Sequence, residues 1–181
     1  MSTKYIGCIH AYDPSVVNWT YSKFRDSQDY AEHITERWNN SVSTQDLVIV
    51  CGDIGVPCSE SIRLYKNLVG NKVLIIGNHD SEWLRIPVVY ELFQRVTPCL
   101  RNTHLIVTHR PEDLQRYGRQ TGMYAIHAHH HEYSTSTMQA CFQQYASDNL
   151  RLNCSCPLNG YKPCTLPELI MNKETLIYGK Q

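Results

Sequence analysis

The sequence predicts an α/β fold of two facing sheets with helices outside, and three observations lead there. Several short runs are continuously apolar rather than alternating, the pattern of strands buried on both faces; "DLVIVCGD" (46–53) and "NKVLIIGNHD" (71–80) are the clearest. In the first half such runs alternate with helix-period segments, as a parallel sheet requires. In the second half strands follow one another with few helices between them, which implies a second sheet packed on the first.

The elements follow in order. "KYIGCIH" (4–10) is a first strand, and "DSQDYAEHITERWNN" a helix with Ser27 as N-cap and Tyr30, Ile34 and Trp38 recurring every four residues on one face. The strand 46–53 stops at Gly-Asp, so its end presents a carboxylate. "SESIRLYKNLVG" (59–70) is a helix with Ile62, Tyr65, Leu68 and Val69 inward and Gly70 as its stop. Strands then fall at 71–80, at "THLIVTHRP" (103–111) and at "GMYAIHAHHHE" (122–132). A helix over "STMQACFQQYASDN", a late strand "LRLNCSC" and a tail "NGYKPCTLPELI" complete the chain.

A length of 181 residues suits one domain over 1–181 with a substantial core, and no linker or repeat divides it. Lys+Arg and Asp+Glu are 17 each, and this neutral balance argues against an extended nucleic-acid groove. A small phosphorylated substrate remains compatible, because bound metals supply positive charge. No run is apolar enough for a membrane span or signal peptide, so a cytoplasmic protein is expected. In such a compartment the eight cysteines are mostly thiols.

Five apolar runs end in residues that bind hard or borderline metals: His10, Asp53, Asn78-His79-Asp80, His109, and His129 with His131. In α/β sheets ligands bind beyond the carboxyl ends of strands. This donor set exceeds the four needed for one zinc and is enough for two ions sharing a carboxylate. In "HAHHH" (127–131), strand alternation puts His127, His129 and His131 on one face, with His130 turned away.

With these motifs in this order, "CIH" (8–10), "GD" (52–53), "GNHD" (77–80), "THRP" (108–111) and "HAHHH", the chain resembles the calcineurin-like metallophosphoesterases. It is similar in particular to the small bacterial and phage phosphoesterases, in which "ERWN" precedes the Gly-Asp strand and a segment like "YKPCTLPELI" closes the chain. The resemblance implies a two-sheet αββα sandwich with two divalent metal ions (manganese, zinc, iron or nickel) at strand carboxyl ends. It implies that Asp53 bridges them, that His10 and His131 complete one site, with Cys8 standing where that site's first ligand is expected, and that Asn78, His109 and His129 complete the other. It makes His79 the group that protonates the leaving oxygen, with Asp80 orienting its ring and His127 supporting the ligands. A hydroxide bridging the metals would attack a phosphodiester or phosphomonoester in line. Arg110 and Tyr12 are candidate contacts to a small, nucleotide-like substrate. Which ester, which metals and which oligomeric state are left open.

The chain departs from that pattern at Cys8, where aspartate is expected, and at Ala128, where glycine is usual. A thiolate at position 8 would bind softer metals such as zinc or ferrous iron. Alternatively Cys8 is a buried thiol beside a weak first site, or, as a minor third reading, a nucleophile beside His10. The alternative function is a partner-binding scaffold on the same fold, catalytically impaired at Cys8.

Overall fold

Short apolar runs separated by turns can only bury both their faces by stacking between layers, and the chain does so twice. The computed structural model describes residues 1–16, 23–130 and 147–178. One sheet holds β1 (Thr3–Ile6), β2 (Leu47–Val50), β3 (Asn71–Ile75), β4 (Arg95–Thr97) and β9 (Cys164–Thr165) in the order β4-β3-β2-β1-β9. β1 to β4 run parallel, and β9 is antiparallel to β1. The second sheet has the order β5-β6-β7-β8, from β5 (Cys99–Arg101), β6 (Leu105–Thr108), β7 (Tyr124–His127) and β8 (Arg151–Asn153). Here β6, β7 and β8 are parallel and β5 is the antiparallel edge.

Alternation along each strand assigns its two faces. Tyr5, Ile49 and Ile75 from the first sheet meet Val107, Ile126 and Leu152 from the second in a shared interior layer. Ile6, Val48, Val50 and Leu74 face the other way, onto α1 (Ser27–Asn39) and α2 (Ser59–Asn67) through Tyr30, Ile34, Trp38, Leu64 and Tyr65. Ile106 and Ala125 turn outward to Leu114, on α4 (Asp113–Arg116), and Met123. The result is the αββα sandwich expected from the sequence. Trp38 is fully buried and its indole N–H donates to the Val69 carbonyl at 2.8 Å; truncating such a side chain costs about 3–5 kcal/mol. Among the described residues no helix is long and apolar enough to cross a membrane, and the described cysteines are all free thiols.

The structure revises several expected boundaries. The N-cap of α1 is Asp26, whose side chain accepts the Asp29 N–H at 2.8 Å, rather than Ser27. β1 ends at Ile6 and β7 at His127, short of 10 and 132, because Cys8, His10 and His129 adopt positive φ and leave the strand conformation. α3 (Val89–Leu92), β4 and β5 lie in a stretch given no element from sequence. The closing tail folds as β9 followed by the helix α5 (Leu166–Tyr178). The helix expected over "STMQACFQQYASDN" falls mostly outside the described residues, as does His131.

The two sheets are joined where the site forms. Past β1, Gly7 bridges to Ser155 past β8, with the Gly7 N–H on the Cys154 carbonyl at 3.0 Å and the Cys156 N–H on the Gly7 carbonyl at 2.7 Å. The carboxyl ends of β1, β2, β3, β6 and β7 thereby share one edge of the sandwich, which is where α/β folds place ligand sites.

Candidate metal centre

The five strand-end segments are drawn together by their backbones before any side chain is considered. The Cys8 and His10 N–H groups donate to the carbonyls of Gly52 and Asp53, both at 2.9 Å, and the Ala128 N–H donates to the His109 carbonyl at 2.9 Å. The β2 and β3 loops approach so closely that only glycine fits. A Cβ on Gly77 would lie 2.3 Å from Asp53 Oδ1, and one on Gly52, where φ is +77, would lie 2.6 Å from Gly77 Cα.

Asp53 stands at the centre and is buried. Its Oδ1 accepts the His79 N–H at 2.9 Å. Its Oδ2 lies 3.2 Å from His109 Nε2 on one side and 3.7 Å from His10 Nε2 on the other. Burial raises this carboxyl, but the hydrogen bond and charge of His109, with the His79 N–H, outweigh it and hold Asp53 below the usual carboxylate range. Two overlapping ligand sets share it. Donor atoms of Cys8, His10 and Asp53 lie within 4.8 Å of one another, as do those of Asp53, His109 and His129.

His109 tests whether these residues suit a cation. Its Nδ1 lies 2.7 Å from the Cys51 carbonyl oxygen, which can only accept, so Nδ1 carries the proton. Nε2 then faces Asn78 Oδ1 at 2.9 Å and Asp53 Oδ2 at 3.2 Å. A lone-pair nitrogen and two acceptor oxygens converge, and only a proton or a cation can hold them together. Burial lowers the His109 imidazole, yet the hydrogen bond and charge of Asp53 leave it raised overall. A ring whose far nitrogen is fixed by a backbone carbonyl is also the usual arrangement of a metal-binding histidine. His129 is pushed down to about 4 by burial and by the charge of His109, which keeps it in the neutral form that ligates. The donor set therefore fits divalent ions.

Backbone strain marks the same positions. Among the described residues six non-glycines have positive φ, and four of them are Cys8 (+53), His10 (+47), Asp53 (+54) and His129 (+70). Such conformations persist where surrounding structure enforces them, and they cluster at functional sites.

The remaining sequence-predicted residues divide. Asn78 and His79 are exposed at the mouth, with the His79 ring 5.7 Å from that of His10. Arg110 lies beside Asn78, its Nε 3.5 Å from Asn78 Oδ1, and shares a cleft of about 400 Å³ with Asn78, His109, Arg116 and Tyr117. Tyr12 is not brought to that cleft. It packs on the helical core and lines a separate cleft between α1 and α2 with Glu36 and Arg63. His127 is fully buried, held at the Ala128 carbonyl at 2.9 Å and pushed down to about 3 by burial. His130 turns away to Glu112, at 3.5 Å.

Asp80 differs from expectation in its partners. Instead of the His79 ring, its buried carboxylate takes three backbone N–H groups, of Gly77 at 2.7 Å, Ile54 at 2.9 Å and Asp53 at 3.0 Å. The loop carbonyls that follow are pinned too, Ile54 by the Tyr65 hydroxyl at 2.8 Å and Gly55 by the Trp83 indole N–H at 2.6 Å. Sequence reasoning assigned no such part to Tyr65 or Trp83. An isolated aromatic reads as core, and its polar tip shows only when the backbone it reaches is known.

No curated protein sequence matches the chain. A solved structure, described as that of a protein of unknown function, AQ665, from Aquifex aeolicus, superposes with a TM-score of 0.69 at 19% identity, covering 92% of this chain and 96% of that one. That likeness bears on the fold. A model of the calcineurin-like phosphoesterases matches residues 1–147, most of the chain, across all five strand-end motifs. With that match and the shared-carboxylate geometry, the chain belongs to the calcineurin-like phosphoesterase family.

Proposed function

We propose that the protein is a dinuclear metal-dependent phosphoesterase acting on a phosphodiester or phosphomonoester of a small, nucleotide-type substrate. The observation that carries this reading is the convergence of His109 Nε2, Asp53 Oδ2 and Asn78 Oδ1 within hydrogen-bond distance, with the opposite His109 nitrogen committed to a carbonyl. Asp53, Asn78, His109 and His129 would hold one ion. Asp53 and His10, with His131 beyond the described residues, would hold the other. When bound, such a pair of cations acidifies a water nucleophile and neutralises phosphate oxygens.

The chain's own groups supply the rest. Asp53, with its depressed carboxyl, keeps a negative charge at the shared position through the neutral range. Asn78 offers an oxygen without adding charge. His79 has an exposed ring at the open side of the site, while its backbone N–H is tied to Asp53 at 2.9 Å. From there it donates a proton to the leaving oxygen, a contribution of about 10²–10⁴ in rate. Arg110 meets a phosphate oxygen. The cleft it lines, with Arg116 and Tyr117, has the volume of a small-molecule site, and its two arginines suit an anionic, nucleotide-type substrate.

A partner-binding scaffold is the competing reading, and it gives no reason for left-handed backbone at four clustered metal-binding side chains. The test is hydrolysis of bis-p-nitrophenyl phosphate and p-nitrophenyl phosphate by chelator-stripped protein, with Mn²⁺, Zn²⁺, Fe²⁺, Ni²⁺ and Mg²⁺ restored one at a time. Turnover returning with at least one metal is expected. Folded protein inert toward both esters with every metal would overturn the enzyme and favour the scaffold.

A further inference from the structure

The family pattern places an oxygen ligand where this chain has Cys8, and the surroundings of that sulfur say what it does. Cys8 is 1% exposed. Its Sγ lies within 4.8 Å of the donor atoms of His10 and Asp53. Two donors are aimed at the sulfur from the opposite sheet: the His129 backbone N–H at 3.1 Å and the Ser155 hydroxyl at 3.8 Å. Ser155 is itself fully buried, with its own N–H held by Asn153 Oδ1 at 2.9 Å. The backbone at Cys8 is forced to a φ of +53.

A thiol used only to fill space needs none of this. Sulfur is a weak acceptor, and hydrophobic packing requires neither N–H donors nor a strained backbone. Donors converging on sulfur are what a negatively charged ligand receives from its surroundings, where they orient it and tune the metal. His129 links the two positions: its ring belongs to the set with Asp53 and His109, while its N–H holds the sulfur of the set with His10.

We infer that Cys8 is a thiolate ligand, oriented by the His129 N–H and the Ser155 hydroxyl, and that it makes the first metal position selective for zinc or ferrous iron over manganese or magnesium. The inference rests on the metal-binding reading of the site. On binding, a divalent ion takes the place of the sulfur-bound proton, which leaves to solvent, so the ion meets two anionic ligands, Cys8 and Asp53, and neutral imidazole. Soft thiolate sulfur favours zinc and iron, whereas magnesium and manganese prefer oxygen.

The experiment is metal counting and X-ray absorption on the full chain loaded with zinc, with thiolate-to-cobalt charge-transfer absorption of the cobalt(II)-loaded protein as a second readout. A sulfur scatterer at about 2.3 Å, beside nitrogen or oxygen at about 2.0–2.2 Å, is expected. Cys8→Ser should lose both signatures while Cys51→Ser and Cys154→Ser keep them. Cys8→Asp should narrow the preference for zinc over manganese. Ser155→Ala should keep the sulfur signal and bind zinc about 10–100-fold more weakly. Bound zinc with no sulfur scatterer overturns the inference and leaves the phosphoesterase reading standing. Folded protein that binds no metal overturns both. If Cys8→Ser fails to fold, the scatterer set of the unmodified chain still decides.

Discussion

The Asp80 carboxylate holds the backbone N–H of Asp53 at 3.0 Å, and so ties the loop after β3 to the loop after β2. With Ile54 and Gly77 on the same two oxygens, one buried side chain satisfies three donors that no secondary structure would otherwise serve. Burial raises its carboxyl despite those donors, so the site keeps a desolvated acid in order to fix the position of Asp53. Asp80→Asn turns an amide N–H₂ toward backbone donors and leaves buried N–H groups unpaired. A loss of about 2–4 kcal/mol in urea unfolding is expected. An unfolding free energy equal to that of the unmodified protein would show that the clamp contributes nothing.

His79 is exposed and, among the described residues, belongs to no ligand set, while its N–H touches the Asp53 carboxylate. His79→Ala should lower kcat by about 10²–10⁴-fold, the usual scale of a positioned general acid, with metal content unchanged. The deficit should shrink for a substrate with a good leaving group such as p-nitrophenolate, which needs little protonation. A uniform loss across leaving groups would assign His79 to binding instead.

Much of this was legible, and the failures have physical causes. The runs ending in Gly-Asp, Gly-Asn-His-Asp and Thr-His-Arg announce themselves because a strand buried on both faces is apolar until it emerges, so the first polar residues mark the emergence. β4 and β5 escaped because each has three residues, too few for any periodicity, and Pro98 between them reads as a plain turn although the chain there passes from one sheet to the other. The strand read through "HAHHH" stops at His127, since His129 takes a positive φ, and such a turn at a non-glycine residue has no signature in sequence. The tie of Asp80 to three backbone amides was illegible for a similar reason, since its partners carry no side-chain information.

Ligation should show as stability. Binding to the folded state alone contributes about 2.7 kcal/mol at a free metal concentration of 100 Kd. For a chain of this size that raises Tm by roughly 5–10 °C. Scanning calorimetry of stripped protein with added Zn²⁺ should show the rise, and a chelator should reverse it. His109→Ala removes a ligand and should lose most of the shift, while His104→Ala, exposed at the entry to β6, should keep it. Equal shifts in both variants would place the bound metal elsewhere.

The last helix carries a pH-dependent lock. Thr165 and Glu168 stand in capping-box spacing at the start of α5. Glu168 Oε2 accepts the Thr165 N–H at 2.7 Å and hydroxyl at 2.8 Å, and Oε1 meets Lys162 Nζ at 3.0 Å. Burial raises the Glu168 carboxyl, but the Thr165 and Lys162 bonds outweigh it and bring it down to about 2. The folded-state value lies below the unfolded one, so this stabilisation is complete above an unfolded glutamate's pKa of about 4.3. It is lost as pH falls from there toward 2. Glu168→Ala should therefore cost about 1 kcal/mol at pH 7, on the scale of a helix cap. Because β9 is continuous with α5 and pairs with β1, the loss should loosen that sheet edge first. Urea unfolding of the two proteins at pH 7 and pH 3 is the check: the stability gap should narrow at pH 3, and a gap independent of pH would assign the effect to packing rather than to the ionised cap.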